Sequence, residues 1–134
     1  MDTGIQIGKY IKRWLQSDEE LVSMVKKSNM VPLVVHPTEK PFISWERMSC
    51  TPNYTKDGQI VDVVEVGMAI VSDDYEQSIN IAERVRNLLE WKSYRDENIQ
   101  IPAMEIRQIQ EDNVDDAYVQ EILFEFQIET LNKN

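Results

Sequence analysis

At 134 residues the chain has the usual size of one domain and is long enough to close around a hydrophobic core. Apolar residues make up 42% and charged residues 28%, a globular composition rather than that of a disordered chain. Acids outnumber bases 24 to 14, and the net charge of -10 repels phosphate backbones and anionic membranes, which argues against sequence-specific nucleic-acid binding.

The predicted elements begin with a helix over Thr3 to Gln16, where Ile7, Tyr10, Ile11, Trp14 and Leu15 recur at helical spacing and form one apolar stripe. Gly4 and Gly8 weaken it, each by roughly 1 kcal/mol against alanine, so this helix is expected to depend on packing against something else. Ser17 and Glu20 have the spacing of a capping box and open a second short helix, with Leu21, Val22, Met24 and Val25 turned inward and Ser28-Asn29 stopping it. Val31 to Val35 is a short apolar run. Phe42 to Arg47 alternates between two faces, with Pro32, Pro37 and Pro41 marking strand ends or edges. Thr51 to Gln59 reads as a long hairpin loop turned by Asp57-Gly58.

Ile60 to Val71 is apolar on both faces, broken by Asp62, Glu65 and Gly67, and is the candidate for the sheet centre. Asp73 and Glu76 form another capping-box pattern, opening a helix to about Trp91 with Tyr75, Ile79, Ala82, Val85, Leu88 and Leu89 on one stripe. Ile99 to Ile109 reads as a strand whose apolar phase slips near Pro102, the mark of a bulge or an edge. In the last segment Ile122, Phe124, Phe126 and Ile128 hold the even positions while Glu121, Glu125, Gln127 and Glu129 fill the odd ones, so period 2 predicts a strand with one wet face. The order α-α-β-β-β-α-β-β predicts an α+β domain over residues 1–131. It is a mainly antiparallel sheet of about five strands, with N-terminal helices and one long central helix packed on it. Residues 132–134 are expected to be a loose tail.

The chain offers little for catalysis. His36 is the only histidine and Cys50 the only cysteine, with no partner in sequence to build a triad, a zinc set or an activated thiol. The lone cysteine fits a reducing compartment, and no signal segment or spanning apolar run is present, so secretion and membrane insertion are not expected. Four glycines make no phosphate loop. The acidic cluster Glu111, Asp112, Asp115, Asp116 lacks the ligand alternation of a calcium loop, and Asp73 and Asp74 are explained by helix capping. No enzyme activity, metal or cofactor is expected.

The segment from Val61 to Glu90, VDVVEVGMAIVSDDYEQSINIAERVRNLLE, carries a strand through Ser72, Asp73, Asp74 and Tyr75 into a helix. In this it resembles the small bacteriophage tail-completion proteins, also described as tail-terminator or head–tail joining proteins. The closing strands and the acidic loop Glu111 to Asp116 continue the likeness. The resemblance implies a ring, commonly a hexamer, that caps the tail tube and joins it to the head. Its partners would be copies of itself, tail-tube protein and connector proteins, and it would assemble in the host cytoplasm before entering the virion. On that reading Glu121, Glu125 and Glu129 fit either a lumen wall or a solvated face. Ile7, Tyr10, Ile11 and Trp14 fit either the core or a neighbour-facing stripe, and Tyr54 and Lys56 of the expected loop are candidate contacts to a neighbour. The alternative is a small adaptor or regulatory binding module of similar fold.

Overall fold

The computed structural model describes residues 2–32 and 39–131. The expected strand residues 33–35, together with His36, Pro37 and the tail 132–134, lie outside them. Seven strands form one sheet: β1 (Met30–Pro32), β2 (Phe42–Tyr54), β3 (Ile60–Ser72), β4 (Tyr94–Arg95), β5 (Ile99–Ile101), β6 (Met104–Val114) and β7 (Ala117–Thr130). Its order is β1-β2-β3-β7-β5-β4, with β6 paired to the same edge of β7 as β5. This corrects the expected five strands. β1 also runs parallel to β2, whereas the remaining pairs are antiparallel. The helical layer consists of α1 (Ile7–Gln16), α2 (Glu19–Met24) and α3 (Tyr75–Leu89), not a single dominant central helix.

β3 and β7 hold the centre, pairing from Val61↔Glu129 to Ser72↔Tyr118. Alternation assigns their faces: Val64, Val66, Met68 and Ile70 of β3 and Ile122, Phe124, Phe126 and Ile128 of β7 are buried beneath the helices, and their sequence neighbours point to the other, outer face. Each such side chain contributes about 1.5–3 kcal/mol by leaving water.

The first helix starts later than expected, because Gly4–Gln6 form a 3-10 turn capped by Thr3, whose backbone N–H donates to Gln6 Oε1 at 2.6 Å. Ile7, Tyr10, Ile11 and Leu15 then face the core. The two glycines mark close approaches. A Cβ on Gly4 would stand 2.6 Å from Val64 Cγ2, and one on Gly8 would stand 3.4 Å from Trp45 Nε1. Both expected capping boxes fail by one residue. Asp18, not Ser17, caps α2 by accepting from Leu21 N at 2.9 Å, and Asp74, not Asp73, caps α3 by accepting from Gln77 N at 2.9 Å. Ser17 instead donates back to Arg13 O, and Asp73 pairs with Lys40 at 3.1 Å. The inward stripe of α3 is Ser78, Ile81, Val85 and Leu89. Tyr75 is exposed, and the helix ends before Trp91, which sits at φ 62.

The expected loop Thr51 to Gln59 is mostly strand. β2 continues to Tyr54 in register with Ile60, leaving a short turn in which Gly58 takes φ +80 and donates its N–H to Thr55 O at 3.0 Å. Likewise the expected acidic loop Glu111 to Asp116 belongs to β6 up to Val114, and Asp115 and Asp116 alone form the turn, at φ 50 and 66. Two positive φ values are the signature of a two-residue hairpin turn that follows the sheet twist. The phase slip near Pro102 is a full break between β5 and β6, and a further register shift lies between Ile106 and Gln108.

Candidate functional site

The outer face of the sheet is the candidate site, because among the described residues no helix covers it and the acids collect there. Register places Glu65 of β3 opposite Glu125 of β7, and Glu125 opposite Glu105 of β6, so three carboxylates stand in line across three strands. Glu121, opposite Ala69 and Gln110, and Glu129, opposite Val61 and Gln100, extend the same face, as does Glu46, opposite Gly67. Like charges directly opposite one another destabilise a sheet. Arg107 offsets this, with its guanidinium donating to Glu125 and lying 2.9 Å from Glu105. The hydrogen bond to Glu125 is the leading reason that its proton affinity is raised further, so it stays cationic. Ser49 Oγ donates to Glu65 at 3.1 Å.

Beside this row lies a concavity of ≈ 380 Å³ whose lining includes Met48, Gly67, Ala69 and Leu123 as apolar groups and Glu46, Gln108, Gln110 and Glu121 as polar ones. Gly67 leaves room for Met48, whose Sδ would be 3.4 Å from a Cβ there. The lining suits a cationic or polar group against a small apolar surface, whereas nucleophilic attack needs a base beside a hydroxyl or thiol. Cys50 is half-buried on the inner side, where desolvation first and then the nearby Asp62 carboxylate raise its pKa and keep it a thiol. Glu111 accepts from Gln120 Nε2 at 2.8 Å, and among the described residues no group of three or more His, Cys, Asp or Glu is placed to hold a metal ion. No helix among them is long and apolar enough to cross a membrane.

The structure separates the other predicted site residues. Ile7, Tyr10 and Ile11 are 1%, 1% and 0% exposed. Trp14 packs edge-on to Tyr94, with ring centroids 5.1 Å apart, and lies near Phe126 at 6.2 Å. These four therefore bind α1 to its own sheet. Tyr10 also donates to Asp2 at 2.5 Å, a bond that holds the Asp2 carboxyl below its ordinary range, while burial and that same bond raise the phenol. Tyr54, by contrast, is 72% exposed near the tip of the β2–β3 hairpin, with Lys56 exposed in its turn. Sequence reasoning missed Glu46, Glu65, Glu105 and Arg107. Their signal was the outward phase of each strand, which joins them to the β7 row only once pairing register is known.

No family model matches the chain, and no curated protein matches it. Among solved structures, a chain of the structure titled "Virion of native gene transfer agent (GTA) particle" is similar in fold, with a TM-score of 0.74 over 92% of this chain and 93% of that one, at 14% sequence identity.

Proposed function

We propose that the chain is a structural subunit of a phage-like particle, which caps the end of a tail tube as a ring and joins it to the head. The observation that supports this is the full-length likeness of fold to a chain of a gene transfer agent virion, an argument from analogy of fold. The outer sheet face adds a physical reason. A wall of Glu46, Glu65, Glu105, Glu121, Glu125 and Glu129 repels DNA and lets it pass without adhering. In this reading Glu121, Glu125 and Glu129 face the lumen, Tyr54 and Lys56 reach a neighbour, and Ile7, Tyr10, Ile11 and Trp14 stabilise the subunit from within. The ring is a hexamer, assembled in the host cytoplasm and carried into the particle, with tail-tube and connector proteins as partners. Mixing the protein with tail-tube protein encoded beside it and imaging by electron microscopy tests this. One ring per tube end is expected, and tubes with bare ends and a protein that stays monomeric would leave the adaptor reading in its place.

A further inference from the structure

Two exposed patches of opposite charge lie toward opposite ends of the sheet. The first runs from the 3-10 turn, where Ile5 is 65% exposed, onto the outer side of α1, where Lys9, Lys12 and Arg13 are all exposed. The ten residues of α1 contain no acid, a local inversion in a chain of charge -10. Lys9 reaches Asp2 at 3.1 Å and Arg13 lies 5.1 Å from the centre of the Tyr10 ring, whereas Lys12 has no ion-pair partner among the described residues. The second patch is the tip of the β6–β7 hairpin. Tyr75 and Val114 are 43% and 49% exposed there, beside Asp112, Asp115 and Asp116. Tyr75 is fixed by its edge-on contact with Tyr118 at 5.3 Å and by donating to Glu111 at 3.3 Å. Gly4 is tied to Asp62 at one end of β3, and the acidic tip flanks Ser72 at the other. That stretch spans roughly 33 Å at about 3.3 Å per residue.

We propose that the cationic face of α1 in one copy docks on the acidic, partly apolar tip of the next. Ile5 meets the surface of Tyr75 and Val114, and Lys12 and Arg13 meet the carboxylates of Asp112, Asp115 and Asp116. Each patch repels itself, so the contact is head-to-tail rather than two-fold, and such contacts generate rings when the rotation closes and filaments when it does not. The contact stands on its own, and only its closure into a ring rests on the function proposed above.

The test uses two folded surface variants, checked by circular dichroism and studied by sedimentation velocity. One carries Lys12→Glu and Arg13→Glu. The other carries Asp112→Lys with Asp115→Asn and Asp116→Gly, a pair that two-residue hairpin turns favour. Wild type is expected to assemble at low salt and to dissociate as salt screens the contact. Each variant alone associates roughly tenfold or more weakly, and an equimolar mixture regains assembly, because each offers the surface that the other lacks. Variants that assemble as tightly as wild type, a mixture that stays dissociated, or a wild type that stays monomeric overturn the proposal. Loss of tail-tube binding in the α1 variant of a monomeric wild type would assign that face to the tube protein instead. If the variants still seat rings on tube ends, the ring reading survives without this contact. If assembly follows the charge exchange but gives open filaments, the contact survives and the ring reading falls.

Discussion

Replacing each N-terminal glycine by alanine separates helix propensity from packing. On propensity alone, Gly4→Ala and Gly8→Ala should each stabilise by about 1 kcal/mol. At Gly8 that gain should largely survive, because the new methyl stands 3.4 Å from Trp45 Nε1, a tight but tolerable contact. At Gly4 it should be overwhelmed. The methyl would lie 2.6 Å from Val64 Cγ2 and 2.8 Å from Asp62 Cβ, and both neighbours belong to the central strand. Relieving that overlap costs about 1–3 kcal/mol. Lifting the segment also breaks the 2.8 Å bond from Gly4 N to Asp62 Oδ2, leaving a carboxylate that is 5% exposed with one donor fewer, about 1–3 kcal/mol more. Net destabilisation is therefore about 1–5 kcal/mol. With about 0.28 kcal/mol/K of unfolding entropy for a chain of this length, each kcal/mol moves the midpoint by about 3.6 °C. Thermal and urea unfolding followed by tryptophan fluorescence should show Gly4→Ala melting well below wild type and Gly8→Ala level with it or above. A Gly4→Ala protein as stable as Gly8→Ala would refute the close approach of the 3-10 turn to β3.

Trp14→Glu should unfold the protein rather than merely dissociate it, since truncating a packed tryptophan costs about 3–5 kcal/mol before the charge is counted; far-ultraviolet circular dichroism distinguishes the two outcomes. Arg107→Ala should lower stability at low ionic strength and recover with added salt, because it leaves Glu65, Glu105 and Glu125 in register without their cation; adding Glu125→Gln should restore part of the loss in urea titrations. Acid should weaken the docking of α2 on α3. Arg84 first, and the Leu21 N–H after it, hold the Asp18 carboxyl below its unfolded value. The unfolded chain therefore binds the proton more tightly. This contribution is complete above the unfolded pKa of about 3.9 and is lost as pH falls through the lower folded value. Asp18→Asn should flatten that part of the stability–pH curve, measured from neutral pH to pH 2 or so.

The elements legible from sequence were those whose pattern is set by burial on a single face. β7 alternates because helices cover one side of it only, and the apolar phase from Ile122 to Ile128 is the phase found buried. β3 read as central because both its edges are paired; the expected cover on both faces is found on one only, where alternate residues are buried, and its outward residues are half-buried. Elements decided by distant partners were misplaced. Asp18 outcompetes Ser17 as a cap, and its carboxylate also receives both arms of Arg84, which is distant in sequence. Pro52 and Asn53 look like a loop, yet they continue β2, which among the described residues pairs with β1 only from Ile43 to Trp45. Near an edge a missing N–H is tolerated. β4 and β5 are too short to carry a period of their own.

The candidate site was half legible for the same reason. A row of Glu121, Glu125 and Glu129 on one strand has the same appearance whether it meets water or a lumen, since either requires only polar side chains in the outward phase. What the fold adds is registration across strands, with Glu65 and Glu105 set on either side of Glu125 and Arg107 spent on holding that cluster together. Solvation gives no advantage to aligned like charges, because lysine or threonine opposite Glu125 would be as soluble and would avoid the repulsion. The function proposed above would give them one, because the fields of aligned carboxylates add at a distance and repel a polyanion. The cost in subunit stability is the quantity that the Arg107→Ala and Glu125→Gln pair measures.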